Sequence, residues 1–224
     1  VLTEIEIKAM VLNRLLQKGQ IGHPSSLVFN EMNLAGKTRR VDLGYISDGE
    51  IVAIEVKSDK DSLYRLTGQI EEYRKYFDRI VLAIAPKFVN EVRDTINSDI
   101  AIWAVYKNSI KVIRRGRLNR DVNKKSYLEL MTKREITTLA KMIGLKTNNI
   151  AMYELKQEVL EKADKISKKN LKAVLLDGLH KRFALPSNRF VSRVRAQGVV
   201  STNDVPLLSP YKHTINPPTP HQYL

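Results

Sequence analysis

The chain has 224 residues, 43% of them hydrophobic and 28% charged, with a formal net charge of +14 and no cysteine. That length suits one medium domain, or one domain plus a small accessory module, with ample core. The composition excludes disulfides, thiolate metal sites and a cysteine nucleophile, and no stretch approaches the roughly 20 apolar residues of a membrane span.

The absence of cysteine fits a reducing compartment, so a cytoplasmic location without a membrane partner is expected. The positive charge is unevenly spread. Val1 to Gly116 holds 18 basic and 15 acidic residues, whereas Arg117 to Leu224 holds 20 and 9, a net of +11. Such an excess predicts a surface that faces a polyanion such as nucleic acid, the alternative being a solvated basic surface.

Thr3 to Leu16 reads as an amphipathic helix, with Ile5, Met10, Leu12, Leu15 and Leu16 on its stripe and Thr3 with Glu6 as a capping box. Its charges argue against a signal peptide. Leu27 to Leu34 reads as a strand and Ala35 to Thr38 as a turn. Arg39 to Ser47 and Glu50 to Lys57 are strands joined by the hairpin signal Asp48-Gly49. A helix from Asp61 to Phe77, a strand from Arg79 to Ala85, a short helix from Pro86 to Asn97, and strands Ile100 to Tyr106 and Ser109 to Arg114 complete an α/β unit.

The second half reads as helical: Lys133 to Gly144, Ala151 to Lys165 and Asn170 to Phe183. From about Gln197 the chain is rich in proline and reads as an extended tail. The expected division is 1–116, a mixed β-sheet core flanked by helices; 117–196, a basic helical module; and 197–224, the tail.

The Asp48-Gly49 hairpin sets a register. Ser47 faces Glu50, Gly44 faces Ala53, and Asp42 faces Glu55. Alternation then puts Val41, Leu43, Tyr45, Val52, Ile54 and Val56 in one core layer, and Asp42, Gly44, Ala53, Glu55 and Lys57 on the other face. Gly44 and Ala53 leave room beside the acids. If Leu34 pairs with Arg39, Glu31 joins Asp42 and Glu55 in a row across three strands. Directly opposed carboxylates repel, and a hard divalent cation such as Mg²⁺ relieves the repulsion. A metal-held water and a nearby lysine are the parts phosphodiester hydrolysis requires. The competing interpretation makes Asp42, Glu55 and Lys57 cross-strand ion pairs.

These residues resemble the PD-(D/E)XK nuclease superfamily. Asp42 and, twelve residues later, Glu55-Val56-Lys57 match its core motif, with Val41 in place of the proline. Gln69 and Tyr73 resemble the Q-x-x-x-Y signature of the RecB-like branch. The longer run of Glu31, Gly36, Arg40, Asp42, Glu55 to Asp59, Asp61 to Leu63, Arg65-Leu66, Gln69, Tyr73 and Phe77-Asp78 is similar to small nuclease-like proteins of phages and bacteria in this superfamily. The resemblance spans about Thr3 to Arg115. It implies a restriction-endonuclease-like sheet, Mg²⁺ or Mn²⁺ on Asp42 and Glu55, Lys57 as the catalytic lysine, and Gln69 and Tyr73 at the site. Glu6 stands either as a further metal ligand or as the capping residue.

Thr132 to Ala163 weakly resembles a SAP-type helix–loop–helix DNA-binding module. Arg40, Arg65, Lys133, Arg134, Lys168, Lys169, Arg189, Arg193 and Arg195 are the candidate phosphate contacts. The expected function is that of a metal-dependent deoxyribonuclease, in a setting such as repair, recombination or phage–host conflict. The alternative is a non-catalytic nucleic-acid-binding protein on a nuclease-derived fold.

Overall fold

The structure, a computed structural model, describes residues 1–34 and 39–209. The expected turn at 35–38 and residues 210–224 of the expected tail lie outside the described residues, whereas 197–209, expected to be extended, buries Val200, Val205 and Leu208 in the core. Helix α1 (Glu4–Gln17) opens on the predicted Thr3–Glu6 capping box. Its buried stripe runs through Ile7, Lys8, Val11, Leu12 and Leu15, and Ile5 is exposed. The buried positions follow i, i+4, i+8 spacing more closely than the expected stripe did.

Strands β1 (Leu27–Asn33), β2 (Arg40–Ser47) and β3 (Glu50–Lys57) form an antiparallel meander. Asp48 and Gly49 both take positive φ, 51° and 74°, as a two-residue hairpin turn requires. The turn sets the predicted register, with Ser47 opposite Glu50 and Gly44 opposite Ala53. Helix α2 (Leu66–Tyr76) crosses to β4 (Arg79–Ile84), parallel to β3. A 3₁₀ turn at Pro86–Phe88 and helix α3 (Val89–Thr95) lead to β5 (Ala101–Tyr106), parallel to β4. Strand β6 (Ser109–Arg114) closes a six-stranded mixed sheet whose spatial order follows the sequence.

Helices α4 (Lys124–Leu130), α5 (Lys133–Met142), α6 (Met152–Glu161) and α7 (Lys168–Gln197) follow. A 3₁₀ turn at Val205–Leu208 comes last among the described residues. Three elements differ from expectation. Helix α2 begins five residues late, because the Asp61 carboxylate accepts the Ser58 N–H and hydroxyl, 2.7 Å each, and so closes a turn instead of opening a helix. Helix α4 was not expected; the Asn123 side chain caps it by accepting the Ser126 N–H. Helix α7 does not stop near Phe183 but continues through Pro186 for 30 residues.

The sheet separates two apolar layers. One joins the α2 and α3 face to Val122, Tyr127 and Leu128, to Ile136 and Leu139, to Leu155 and Val159, and to Leu171, Leu175, Leu179 and Phe183. The other holds α1, the end of α7 (Phe190, Val194) and the last 3₁₀ turn. The boundary expected near residue 116 is therefore no break in packing. The helical half covers the sheet and shares its core. Helix α7 passes from one layer to the other beside β1, and Ser187 Oγ accepts the Val28 N–H at 3.1 Å. A helix thus closes an edge that would otherwise offer free strand hydrogen bonds.

Two glycines are required by close packing. A Cβ on Gly44 would stand 2.3 Å from the Phe29 ring, which packs on Phe183 at 5.2 Å between centroids. The space at Gly44 is thus filled by an aromatic ring and is not spare room beside the acids. A Cβ on Gly178 would strike the buried Glu135, which caps α5 through the Thr132 N–H and faces Arg182.

Gly44→Ala is expected to destabilise the protein by about 1–3 kcal/mol, the usual cost of forcing extra volume into a packed core; urea unfolding of the two proteins measures it. A chain ending at Arg120 is expected to lose cooperative thermal unfolding, because the layer completed by α4 to α7 would be open to water. Near-ultraviolet circular dichroism through a melt checks this, and a sharp native-like transition would show that residues 1–116 fold alone.

Candidate active site

The β2–β3 ladder runs as far as Leu43 opposite Ile54. The next step places Asp42 at the level of Glu55, and there side chains replace the ladder. Asp42 Oδ2 accepts the Val56 N–H at 2.9 Å. The Arg40 carbonyl lies 3.0 Å from the Tyr73 hydroxyl. The same hydroxyl donates to Glu55 Oε2 at 2.6 Å, and Lys57 Nζ donates to Glu55 Oε1 at 2.7 Å and to Gln69 Oε1 at 3.0 Å. Asp42, Glu55, Lys57, Gln69 and Tyr73 thus meet around one point, as their sequence pattern implies.

Glu55 is fully buried, with both carboxylate oxygens engaged. Burial, and then the Glu55 charge, push the Asp42 carboxyl up to about 7, against the Val56 N–H and the Lys8 ammonium, which favour its anion. Tyr73 is also fully buried. Its burial, then the charges of Glu55 and Asp42, raise its hydroxyl far above the usual range, so it is a neutral donor. The ring packs edge-on against Phe77, 5.7 Å between centroids, so its core role and its site role coexist.

Glu31 does not complete a row of three acids. Its register is level with Asp42, but its backbone takes a left-handed φ of 59°, uncommon for any residue but glycine. Alternation breaks at this level. Met32 and Val41 belong to the α2-side layer, while Val28, Leu43 and Tyr45 belong to the α1-side layer, so Val41 leaves its expected group. Glu31 pairs with Arg40 at 3.4 Å and accepts from the Ser209 hydroxyl at 3.3 Å. Among the described residues no three His, Cys, Asp or Glu side chains gather as a metal-holding group.

Glu6 is spent on its cap. It accepts from the Thr3 N–H and hydroxyl at 2.7 Å each, and the Thr3 backbone bond chiefly holds its carboxyl below the usual range. Glu4 and Lys8, one helical turn apart and paired at 2.6 Å, are instead the α1 charges that act on Asp42. Sequence reasoning missed both. The available signal was Lys8 itself, a lysine on the buried stripe of α1.

The predicted phosphate contacts scatter. Arg40 pairs with Glu31 beside the site, and Arg65 is exposed at the start of α2. Lys133 and Arg134 are exposed at the start of α5. Lys168 and Lys169 flank the Asp48-Gly49 hairpin with Arg120 and Lys172. Glu50 to Glu55 is five strand steps, roughly 16 Å at 3.3 Å per residue, so those lysines stand at the far end of β3 from the carboxylates. Arg193 is bound to the buried Asp204 at 2.7 Å, and Arg195 donates to the Gly22 carbonyl, so both tie α7 to neighbouring segments. Arg189 is exposed on α7.

No helix of the described residues is long and apolar enough to cross a membrane. Residues 1–209 match the family model described as bacteriophage P4 protein cII. The "Protein cII" of Enterobacteria phage P4 is 33% identical over 220 residues, covering 96% of this chain and 81% of the relative. A solved structure of a protein of unknown function from Silicibacter pomeroyi is 17% identical, with a TM-score of 0.41, and covers 66% of this chain and 99% of its own. The chain belongs to the bacteriophage P4 protein cII family.

Proposed function

We propose that this protein is a metal-dependent phosphodiesterase that cleaves nucleic acid, DNA in preference to RNA, with Asp42 and Glu55 holding Mg²⁺ or Mn²⁺. The observation that carries the reading is the pairing of half-buried Asp42 with fully buried Glu55, with Lys57 donating both to Glu55 and to Gln69. The donor set fits the ion. It is all oxygen, its crowded charge is what a hard cation relieves, and Mg²⁺ commonly binds through only one or two carboxylates while keeping water and substrate phosphate as its other ligands. When bound, the ion supplies positive charge to the phosphate and acidifies water.

The chain's own residues do the rest. Glu55 and Gln69 take two of the three Lys57 N–H groups, which leaves one for a phosphate oxygen whose charge grows as water displaces the leaving oxygen. Tyr73 stays protonated and fixes Glu55 from the other side. The basic second half gives the duplex or strand a phosphate-facing surface away from the site. The restriction-endonuclease-like topology and the SAP-like role of α5 and α6 belong to this proposal. A specific observation favours the rival, a non-catalytic nucleic-acid-binding protein: both Glu55 oxygens are already engaged inside the protein.

Linear, circular and single-stranded DNA incubated with Mg²⁺, Mn²⁺ or EDTA separates the two. Cleavage is expected with the metals only. Asp42→Asn, Glu55→Gln and Lys57→Ala should each lower it by about 100-fold or more, the scale on which preorganised charge acts, while DNA affinity stays within a few-fold. Cleavage by purified Glu55→Gln at the wild-type rate would refute the assignment, and metal-independent DNA binding without cleavage supports the rival.

A second outcome concerns pH. Because the Asp42 carboxyl is raised in the folded state, the folded chain binds more protons than the unfolded chain between about pH 4 and pH 7. Metal-free stability from this group is therefore full below that window and falls as pH rises through it. Asp42→Asn keeps an oxygen for the Val56 N–H and should remove the slope. In EDTA at pH 8 the wild type should melt about 2–4 °C below the variant, the shift that roughly 1 kcal/mol gives at this size. Millimolar Mn²⁺ should close the gap. Scanning calorimetry at pH 5 and pH 8 reads both, and equal slopes for the two proteins would show that neither burial nor the Glu55 charge raises the Asp42 carboxyl.

A further inference from the structure

A cavity of about 350 Å³ lies beside the carboxylate pair, between the start of α1, β1 and the last 3₁₀ turn. Its polar walls are Thr3, Glu4, Lys8, Asn30, Glu31 and Ser209. Its walls neighbour residues of the site. Asn30 pairs with Leu43, the neighbour of Asp42, and Glu4 and Lys8 are the α1 charges that act on Asp42.

Asn30, one of the lining residues, carries a polar atom without a partner. Asn30 is 5% exposed, and its Oδ1 has no hydrogen-bond partner. A buried amide oxygen left so costs about 1–3 kcal/mol, and native structures rarely retain one without a ligand or water to meet it. The charges narrow the choice of ligand. Glu4 and Glu31 are acceptors only and are each already neutralised, by Lys8 at 2.6 Å and Arg40 at 3.4 Å. An anion entering here would find both cations already held by those carboxylates, which disfavours a phosphate group. A cation would have to displace an ammonium or a guanidinium. A flat, uncharged ligand with an NH₂ group beside a ring acceptor fits both limits, since its two N–H groups can meet two acceptors, Asn30 Oδ1 and Glu31, where the single imide N–H of thymine can meet one. The volume falls in the range of small-ligand pockets.

We propose that this cavity takes a nucleobase carrying an exocyclic amine, which Asn30 recognises by its edge. The inference rests on the proposed phosphodiesterase reading only in taking that base to belong to the strand at the carboxylate pair. The base nearest the reacting phosphate is turned out of the stack into the pocket. Its amine donates to Asn30 Oδ1 or the Glu31 carboxylate, and a ring nitrogen or carbonyl accepts from Asn30 Nδ2 or Lys8.

The test uses the full chain in EDTA, with deoxyadenosine, deoxycytidine, deoxyguanosine and thymidine, which carry no phosphate, and with the strand dT10 and dT10 bearing one central adenine, cytosine or guanine. Titration calorimetry and ligand-observed magnetic resonance read the binding. At least one amine-bearing nucleoside should bind tenfold or more tightly than thymidine, and Asn30→Leu should abolish the difference. Since Asn30 is buried, Glu31→Gln on the half-buried rim gives a second readout, with a several-fold loss expected. Tighter binding than dT10 by the strand that bears the preferred base assigns the base to a strand, and discrimination among nucleosides alone assigns it to a free nucleotide; either upholds the pocket. Equal binding of thymidine, unchanged discrimination in both variants, or binding of Mn²⁺ alone that Asn30→Leu removes overturns it. Base discrimination in a protein that never cleaves DNA would retire the phosphodiesterase reading and leave this one standing. Cleavage without base discrimination would do the reverse.

Discussion

Two carboxylates occupy the gap where β2 parts from β3, and much of the surrounding structure answers to that fact. At about 5 Å and an effective dielectric of about 20, two such charges repel by roughly 3 kcal/mol. Each neighbour reduces that burden in its own way. Tyr73 and Lys57 donate to Glu55, the Val56 N–H donates to Asp42, and the Lys8 ammonium lies within reach of Asp42. These partners come from the first helix, the hairpin and α2, which the sheet brings to one level. The parting of the strands is what frees the Val56 N–H and the Arg40 carbonyl to bind side chains instead of each other's strands.

The helical half has a structural role as well as a charged surface. Its apolar faces complete the layer over α2, and Phe183 presses on Phe29, which in turn occupies the space above Gly44 two residues from Asp42. A change in the packing of α7 therefore reaches the site through one aromatic contact. Several of the cations counted as available to a polyanion are instead spent internally. Lys172 pairs with the buried Asp78, Arg193 with Asp204, and Arg195 with the Gly22 carbonyl. Net charge overstates the surface left for phosphate.

The first half of the fold was legible because its signals are local. Alternation and Asp48-Gly49 are enough to give β2 and β3 with the right register from Ser47–Glu50 back to Leu43–Ile54, one step short of the level where alternation breaks. What was not legible depended on contacts distant in sequence. Pro186 reads as a helix end, since proline lacks the N–H and crowds the preceding turn, yet the helix continues because both of its halves are buried against the sheet. Glu31 reads as a third acid in line, but its left-handed backbone cannot be inferred from alternation. Glu6 is a candidate ligand only through the family resemblance, and its capping spacing is the role it fills, whereas Glu4, without a motif, is the acid near Asp42. Gly44 looked like empty space because the ring that fills it comes from another strand.

The bond between Val28 and Ser187 joins residues 159 positions apart. During synthesis the β1–β3 meander emerges long before its outer edge is closed, since α7 comes last among the described helices. From Lys57 to Ser187, at 5–20 residues per second, that edge stays open for roughly 7–26 seconds on the ribosome. A bare strand of Leu, Val and Phe is in that interval a template for pairing with another chain. The protein's vulnerability in the cell thus lies in the order in which it is made, and slower translation of the second half would lengthen the exposure.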